Sequence, residues 1–495
     1  MLFNSTEFLF MFLPLCLLLF HTLRIHINGN VAIAFLVFCS LLFYGWWNPP
    51  YLLLLVGSIL LNYYFASKLF ENHRKKYLVS AITINLLILG YFKYKNFFLE
   101  NINLVVGRES ELGEIFIPLG ISFFTFQQIA FLIDAYDTQI KKNPGLLIYA
   151  KFISFFPQLI AGPIVLYREV GKQLLDLKKH SKSATQLLIP GFVVFIFGLF
   201  KKVVLADGIA PYADTSFNNA YTLTFLEAWA GSVCFALQLY FDFSGYSDMA
   251  VGLGLMFGIV LPLNFDTPFR ACSMIDFWKR WHITMTRFFM MYIYSPIALS
   301  FSRYINNVTN SKNVNFFYAL ALPILITFLL SGLWHGAGWN FIIFGLINGF
   351  ALLLNHYWKE AKLPSPPKIL GRLLTFIVVL FSFVYFRSSN VSEGNQIITS
   401  MLSPTKIVFP DWLARYISFS DLHWGTLSLF STGTFTVKLS LWLTALLGLS
   451  ILLPNIAKSY KSMKPNHWLA CCLAFTTWLT LAWLDEPKTF LYFQF

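Results

Sequence analysis

The feature that most constrains this chain is a glycine-rich break between two span-length apolar runs. Residues 314–334 and 341–357 are almost wholly apolar, and His335-Gly336-Ala337-Gly338-Trp339-Asn340 separates them. We expect the first helix to end at Ser331-Gly332, which leaves irregular backbone at membrane depth. Lipid cannot hydrogen-bond that backbone, so protein or a water-filled cavity must surround it. Because an ionisable residue is expensive to keep there, His335 is a candidate site residue, although capping a helix end would equally explain it.

Composition places the chain among polytopic membrane proteins. Of its 495 residues, 57% are hydrophobic and 12% are charged, and apolar runs near the ~20 residues that a helix needs to cross a bilayer recur throughout. The net charge of +13 comes from lysines and arginines in short loops, which indicates topology rather than a nucleic-acid partner. The six cysteines lie in or beside apolar runs, so we expect neither a disulfide framework nor a metal site.

Loop charges predict the orientation of the chain. Arg24 follows the first apolar run, and Lys68, Arg74, Lys75 and Lys76 follow the third, so these loops are expected in the cytoplasm and the N-terminus outside. We predict an all-α polytopic fold of about 11–13 transmembrane helices. A single membrane-embedded domain would cover residues 1–495, with peripheral spans at 8–92, a core at about 115–360 and C-terminal spans at 369–484.

Two segments are predicted to be re-entrant, lying around a central tunnel. Basic loops flank residues 146–164 on both sides, and Pro157, Gly162 and Pro163 interrupt the segment, so a hairpin suits it better than a full crossing. Residues 288–301 are too few to span a bilayer and contain Pro296. We expect this second segment also to enter the membrane and return.

The most polar stretches at membrane level are residues 240–248, 264–270 and 276–282. From the last of them onward, Trp278, Trp281, Met285 and Phe288 follow helical spacing on one face. This pattern predicts an amphipathic interfacial helix on the cytoplasmic side. Nearby basic residues are either ordinary positive-inside charge or a landing site for the phosphates of a cytoplasmic cofactor. The candidates are Arg270, Lys279, Arg280 and Arg287. His282 is equally well explained as an interfacial histidine or as a site residue.

Six motifs occur along nearly the whole chain in a recognisable order. They are Phe43-Tyr44-Gly45-Trp46-Trp47, Pro118-Leu119-Gly120-Ile121-Ser122-Phe123, Phe155-Phe156-Pro157-Gln158-Leu159-Ile160-Ala161-Gly162-Pro163, Asp242-Phe243-Ser244-Gly245-Tyr246-Ser247-Asp248, Phe277-Trp278-Lys279-Arg280-Trp281-His282 and Trp334-His335-Gly336. With them the chain resembles the membrane-bound O-acyltransferase family, in its bacterial branch of alginate O-acetyltransferases and teichoic-acid D-alanyl transfer proteins.

The resemblance implies acyl transfer across a membrane. The family's catalytic histidine, in its Trp-His-Gly motif, corresponds to His335, and a second important histidine corresponds to His282. A desolvated imidazole stays neutral at pH 7 and can accept a proton from a hydroxyl that attacks a thioester. Tunnel-lining or imidazole-orienting roles are expected for Asp242, Tyr246, Asp248, Trp334 and Asn340, although the first three would also serve to satisfy exposed backbone.

The expected reaction moves an acyl group, most simply acetyl from acetyl-CoA or another acyl thioester, across the bacterial inner membrane to an envelope polysaccharide. The resemblance also implies an exported hydrolase-like partner. One alternative is a transporter or flippase of a lipid-linked saccharide, and another is acylation of a lipid or protein. Many relatives carry Arg-Asp where this chain has Met290-Met291, which leaves the donor and its site open.

The sequence closes on the aromatic run Phe490-Leu491-Tyr492-Phe493-Gln494-Phe495. Counting crossings from an outward N-terminus places this run outside. Four aromatic residues would suit an anchor at the membrane interface. Related envelope-acylation systems end one component in a similar motif, whose tyrosine is thought to carry the acyl group to the exported partner. By that resemblance Tyr492 is the candidate acyl relay.

Overall fold

The computed structural model describes residues 1–107, 113, 115–177, 186–308, 311–416, 423–425, 427, 429, 433–462, 466–484 and 488–491. These residues are overwhelmingly helical. Two short strands, β1 (Phe409–Pro410) and β2 (Trp424–Gly425), pair in parallel. The predicted all-α class is confirmed.

Twenty-three α-helices lie within the described residues. The first twelve are α1 (Leu13–His26), α2 (Gly29–Gly45), α3 (Pro49–Asn72), α4 (Lys75–Leu89), α5 (Lys95–Val106), α6 (Ile121–Tyr136), α7 (Leu146–Ser154), α8 (Phe156–Leu159), α9 (Tyr167–Asp176), α10 (Leu188–Phe200), α11 (Asp207–Asn218) and α12 (Phe225–Met256). The remainder are α13 (Met274–Trp278), α14 (Ile283–Phe289), α15 (Ser295–Asn306), α16 (Lys312–Phe316), α17 (Leu322–His335), α18 (Trp339–Glu360), α19 (Lys368–Arg387), α20 (Val391–Leu402), α21 (Gly433–Leu452), α22 (Ile456–Ser459) and α23 (His467–Ala482).

Some α-helices are joined end to end by π-helical turns, which hold one residue more than an α-helical turn. Within the described ranges these turns are Phe8–Phe12, Gly90–Tyr94, Lys201–Ala206, Met290–Tyr294 and Phe317–Ala321. The first of them extends α1 at its start, and each of the other four joins two α-helices into one continuous stretch.

Eight helical stretches among the described residues are long and apolar enough to cross a membrane. They are Phe8–His26, Pro49–Asn72, Lys75–Val106, Leu188–Asn218, Lys312–His335, Trp339–Glu360, Lys368–Arg387 and Thr436–Ser459, and two shorter apolar helices are Gly29–Gly45 and His467–Ala482. Each coincides with a run that the sequence predicts to be a span. The chain is therefore a multi-pass membrane protein.

The chain divides into two compact units. The first comprises Met1–Phe200, Ser244–Asn264 and Ile456–Gln494. Buried amides join its helices: Asn62 and Asn85 donate to each other's carbonyl oxygens at 3.1 and 2.6 Å. Gln128 donates to the Ser58 hydroxyl at 2.8 Å and accepts from the Tyr149 hydroxyl at 3.2 Å. Such pairings satisfy polar groups that burial would otherwise penalise, so they fix α3, α4, α6 and α7 together.

The second unit comprises Lys201–Phe243 and Phe265–Asn455, and the hairpin of α17 and α18 is central to it. The prediction that the first helix ends at Ser331-Gly332 is wrong, because α17 continues to His335. A Cβ on Gly332 would lie 2.3 Å from the Phe341 carbonyl oxygen, and one on Gly345 would lie 2.3 Å from that of Phe328. These glycines allow two backbones to approach closely instead of ending a helix.

The two segments predicted to be re-entrant differ from each other. Residues 146–164 are interrupted at Phe155, between α7 and α8, and lose helical form after Leu159. Residues 283–306 are helical throughout, so a hairpin within 288–301 is wrong. The π-helical turn Met290–Tyr294 precedes Pro296, and its extra residue lets the helix continue past the proline.

Gly332→Ala should lower the free energy of unfolding by about 1–3 kcal/mol, because the added methyl group must push α18 away. Thermal unfolding of the purified protein in detergent measures the effect. Gly448→Ala, in α21, is the matched control, since no described atom lies within 4 Å of a Cβ built there. Equal melting temperatures for the two variants would contradict the close approach of α17 and α18.

Candidate active site

Two buried histidines meet in the second unit. His335 is the last residue of α17 and His282 precedes α14; they are 5% and 0% exposed. Their ring centroids lie 6.5 Å apart. The Trp334 indole contacts both rings, with centroid distances of 4.9 Å to His335 and 5.8 Å to His282. Residues 53 positions apart in sequence, both expected from the motifs, are thus brought together.

An interruption of the helix between α13 and α14 positions His282. Helix α13 ends at Trp278, and His282 adopts a left-handed conformation with φ of 43° before α14 begins. This conformation is energetically unfavourable for a residue other than glycine, and such residues recur at functional sites. The predicted amphipathic helix across Trp278, Trp281 and Met285 is therefore wrong. Those side chains are buried in the unit instead of lying at an interface.

Aromatic rings enclose both imidazoles. Phe243 meets His282 edge to face at 4.7 Å, while Phe344 and Phe386 lie 5.5 and 5.2 Å from His335. Burial lowers the pKa of His282 to about 3, because a desolvated imidazole favours its uncharged form. At pH 7 His282 is accordingly neutral and able to donate or accept a hydrogen bond.

Asp242, the residue before Phe243, belongs to a buried ion cluster. Lys202 Nζ lies 2.6 Å from Asp242 Oδ1 and 2.9 Å from Asp207 Oδ1, and the side chains of Lys202 and Asp242 are each 2% exposed. Lys202 belongs to the π-helical turn Lys201–Ala206. Sequence reasoning missed this lysine, although a charged residue inside the apolar stretch Leu188–Asn218 was a usable signal. Asp242, expected at a tunnel wall, joins α12 to that turn.

The other expected tunnel residues have varied surroundings. Asn340 Nδ2 donates to the carbonyl oxygens of Ser388 at 2.8 Å and Tyr385 at 3.3 Å, so it binds the last carbonyls of α19 to the start of α18. Tyr246 and Asp248 are buried in the first unit. Trp334, the remaining candidate, has ring contacts to both histidines.

The four basic candidates have different surroundings. Arg270 donates to the carbonyl oxygens of Ile451 and Leu452, which close α21. Arg280 forms an ion pair with Asp276 at 2.8 Å. Arg287 is half-buried in α14, whereas Lys279 is exposed and has no ion pair among the residues described. Arg270 and Arg280 thus stabilise local structure.

A cavity of about 410 Å³ lies in the second unit, with α13, α14 and the π-helical turn Met290–Tyr294 on one side and α17 and α18 on the other. Most of its lining is apolar, including Trp278, Phe289, Met290, Ile324 and Leu352. Three basic side chains also line it, Lys279, His356 and Lys359, as does Ser331, one turn before His335. Sequence reasoning missed His356 and Lys359 because only the folding of α18 against α13 brings them to Lys279.

Residues 138–392 match the family model described as MBOAT, membrane-bound O-acyltransferase family. Over its full length the chain is 34% identical to the peptidoglycan O-acetyltransferase of Helicobacter pylori, covering 98% of that protein. It is 34% identical over 81% of its length to the probable alginate O-acetylase of Pseudomonas aeruginosa, covering 75% of that protein. It is 29% identical over 54% of its length to the teichoic acid D-alanyltransferase of Bacillus subtilis, covering 68%.

The chain belongs to the membrane-bound O-acyltransferase family. It is therefore an enzyme that transfers acyl groups, and the transporter or flippase alternative is set aside. The resemblance seen in its six motifs is confirmed.

Lys202→Met should lower the free energy of unfolding by about 3–5 kcal/mol, because it leaves two carboxylates without their buried cation. Chemical or thermal unfolding in detergent measures the loss. Lys68→Met is the control: its pair with Glu71 is exposed, and such pairs contribute about 0–1 kcal/mol. If both variants lose equally little stability, the cluster does not fix α12.

Proposed function

We propose that this enzyme transfers acetyl from a cytoplasmic acyl thioester, acetyl-CoA in the simplest case, to hydroxyls of an envelope polysaccharide outside the bacterial inner membrane. The glycan of peptidoglycan is our first candidate acceptor, supported by the full-length similarity to a peptidoglycan O-acetyltransferase. The observation that carries the proposal is the buried pair of imidazoles, 6.5 Å apart across Trp334.

In this proposal His335 is the general base. Its imidazole accepts the proton of the attacking hydroxyl as the new C–O bond forms at the thioester carbonyl. The C–S bond then breaks, and the thiolate takes the proton from the imidazolium, so no proton is gained or lost overall. His282, neutral at pH 7, acts by hydrogen bonding to the carbonyl or the intermediate rather than by charge.

His335→Ala should lower acetylation by about 10²–10⁴-fold, which is the usual contribution of a positioned general base. Base-labile acetate on purified envelope polysaccharide measures the loss, with protein yield and detergent melting as checks on folding. His26→Ala is the control, because His26 is exposed at the end of α1. Full acetylation by a normally folded His335→Ala enzyme would rule out this assignment.

We place the thioester arm of the donor in the 410 Å³ cavity. Ser331 lines one part of it on the same helix as His335, and Lys279 and Lys359 supply positive charge. Phosphate groups bind such side chains through charge-assisted hydrogen bonds. Met290 also lines the cavity, so the donor meets an apolar side chain where many relatives carry a charged pair. We leave Arg270 and Arg280 out of the donor site because they hold local structure.

Replacing both Lys279 and Lys359 by Gln should raise the KM for the thioester about tenfold or more, because each hydrogen bond to a charged group contributes about 1.5–3 kcal/mol. The turnover number should change little. Thioester consumption at limiting donor, in inverted vesicles, measures this. Lys362→Gln is the control, since Lys362 is exposed and does not line the cavity. Unchanged thioester consumption by the double variant would show that the donor does not bind in this cavity.

The acetyl group must then reach an acceptor outside, and we propose an exported hydrolase-like partner for that step. Tyr492 lies outside the described residues, and we keep it as the candidate relay. Its hydroxyl would attack the thioester with His335 as base, releasing the thiol and forming a tyrosyl ester. A hydroxyl on the partner or the glycan would then attack that ester, and the tyrosine would recover its proton.

A further inference from the structure

The segment that leads to Tyr492 is buried inside the first unit. Phe490 is 1% exposed and Leu491 is 6% exposed. An aromatic residue that anchors a chain at the membrane interface presents its ring to the lipid head groups. Neither Phe490 nor Leu491 does so, and a different role is needed for them.

An aromatic contact with Tyr246 holds Phe490 in place, and a third ring packs against Tyr246. Its ring meets the Tyr246 ring edge to face, with centroids 4.5 Å apart and planes at 84°. The Phe3 ring stacks on Tyr246 at 4.9 Å, with planes at 17°. Edge-to-face and offset-stacked pairs are the favoured aromatic geometries. Tyr246 is thus packed between a residue near the start of the chain and one near its end.

A hydrogen bond fixes the backbone just before Phe490. Asn4 Nδ2 donates to the Lys488 carbonyl oxygen at 3.2 Å. Asn4 is itself 2% exposed. Phe3 is held in turn by Phe8 at 5.0 Å and Phe43 at 5.6 Å. We call Phe3, Asn4 and Tyr246 the seat. It constrains residues 488–490 through the hydrogen bond to the Lys488 carbonyl oxygen and the ring contact with Phe490.

A fixed residue limits the reach of whatever follows it, because consecutive Cα atoms are 3.8 Å apart. A reacting group with no fixed residue near it in sequence would lose most of its productive encounters to conformational entropy. A residue held in place two positions before the reacting group avoids most of that loss. Phe490 and Tyr492 are separated by one residue.

We propose that the seat holds Phe490 throughout turnover and that Phe490 is a positioning residue for the acyl relay. This inference depends on the relay proposed for Tyr492. It assigns to Tyr246, which lies in the motif from Asp242 to Asp248, the role of holding Phe490. Phe490 acts through the residues after it and does not itself touch the reacting atoms.

Phe490→Ala should lower envelope acetylation at least tenfold while donor affinity stays within twofold, because the relay is displaced and the donor cavity is not. Phe490→Leu, which refills most of the seat, should recover activity to within threefold of the parent. Phe475→Ala is the matched control, since Phe475 is 59% exposed on α23 of the same unit. Normal acetylation by Phe490→Ala overturns the proposal.

A cross-link tests whether the seat stays occupied by comparing linked and unlinked forms of one variant, so any stability lost through the substitutions is common to both. Asn4→Cys and Lys488→Cys are introduced into a chain whose six native cysteines are replaced, and a short dithiol-reactive reagent joins them. A permanent seat predicts acetylation within twofold of the unlinked protein. Loss of activity on linking, reversed by a reductant, would show that the segment must leave and would overturn the proposal.

Tyr492→Phe separates failure of the seat from failure of the relay. Loss of acetylation in Tyr492→Phe with normal activity in Phe490→Ala keeps the relay and overturns the seat. Normal acetylation in Tyr492→Phe removes the relay, and with it the role assigned to Phe490. Loss in both variants, with donor affinity unchanged, supports the two together.

Discussion

Helix ends in a membrane expose backbone groups that lipid cannot hydrogen-bond, and side chains bind many of them here. The Asn340 amide binds the last carbonyls of α19, and the Arg270 guanidinium binds those of α21. Asn28 and Asn466 accept from backbone N–H groups at the starts of α2 and α23. Asn340 lies in the first turn of α18, so its amide ties the break between α17 and α18, beside His335, to the end of α19.

Two ionisable side chains near the candidate active site, His282 and Lys202, respond differently to burial in low-polarity surroundings. An imidazole can give up its proton, and burial keeps His282 uncharged. A lysine between two carboxylates keeps its charge because its partners compensate for lost hydration; Lys202 is held in that way by Asp242 and Asp207. The first solution leaves a group able to exchange a proton or a hydrogen bond, whereas the second makes a rigid joint. The chemistry proposed for His282 and the structural support given by Lys202 are thus assigned to different side chains.

Much of the fold followed from sequence because apolar runs of span length leave few alternatives to helices. His335 stood out through its position in the glycine-rich break, and the motifs added His282. Their proximity across Trp334 was not predictable, because it depends on packing between segments far apart in sequence. For Arg270 and Arg280, loop charge indicates the side of the membrane but not the partner. Gly332 was misread because a glycine that ends a helix and one that admits a neighbouring helix look alike in sequence.

The π-helical turn that carries Lys202 has an evolutionary consequence. Such a turn contains one residue more than the α-helix around it needs, so a one-residue deletion there would restore regular helix. Each residue turns the helix by about 100°, and a deletion on one side of Lys202 would swing its ammonium away from Asp242. The extra residue in Lys201–Ala206 therefore sets the rotational register of the cluster. Descendants of this sequence can vary the apolar residues of the turn more freely than its length.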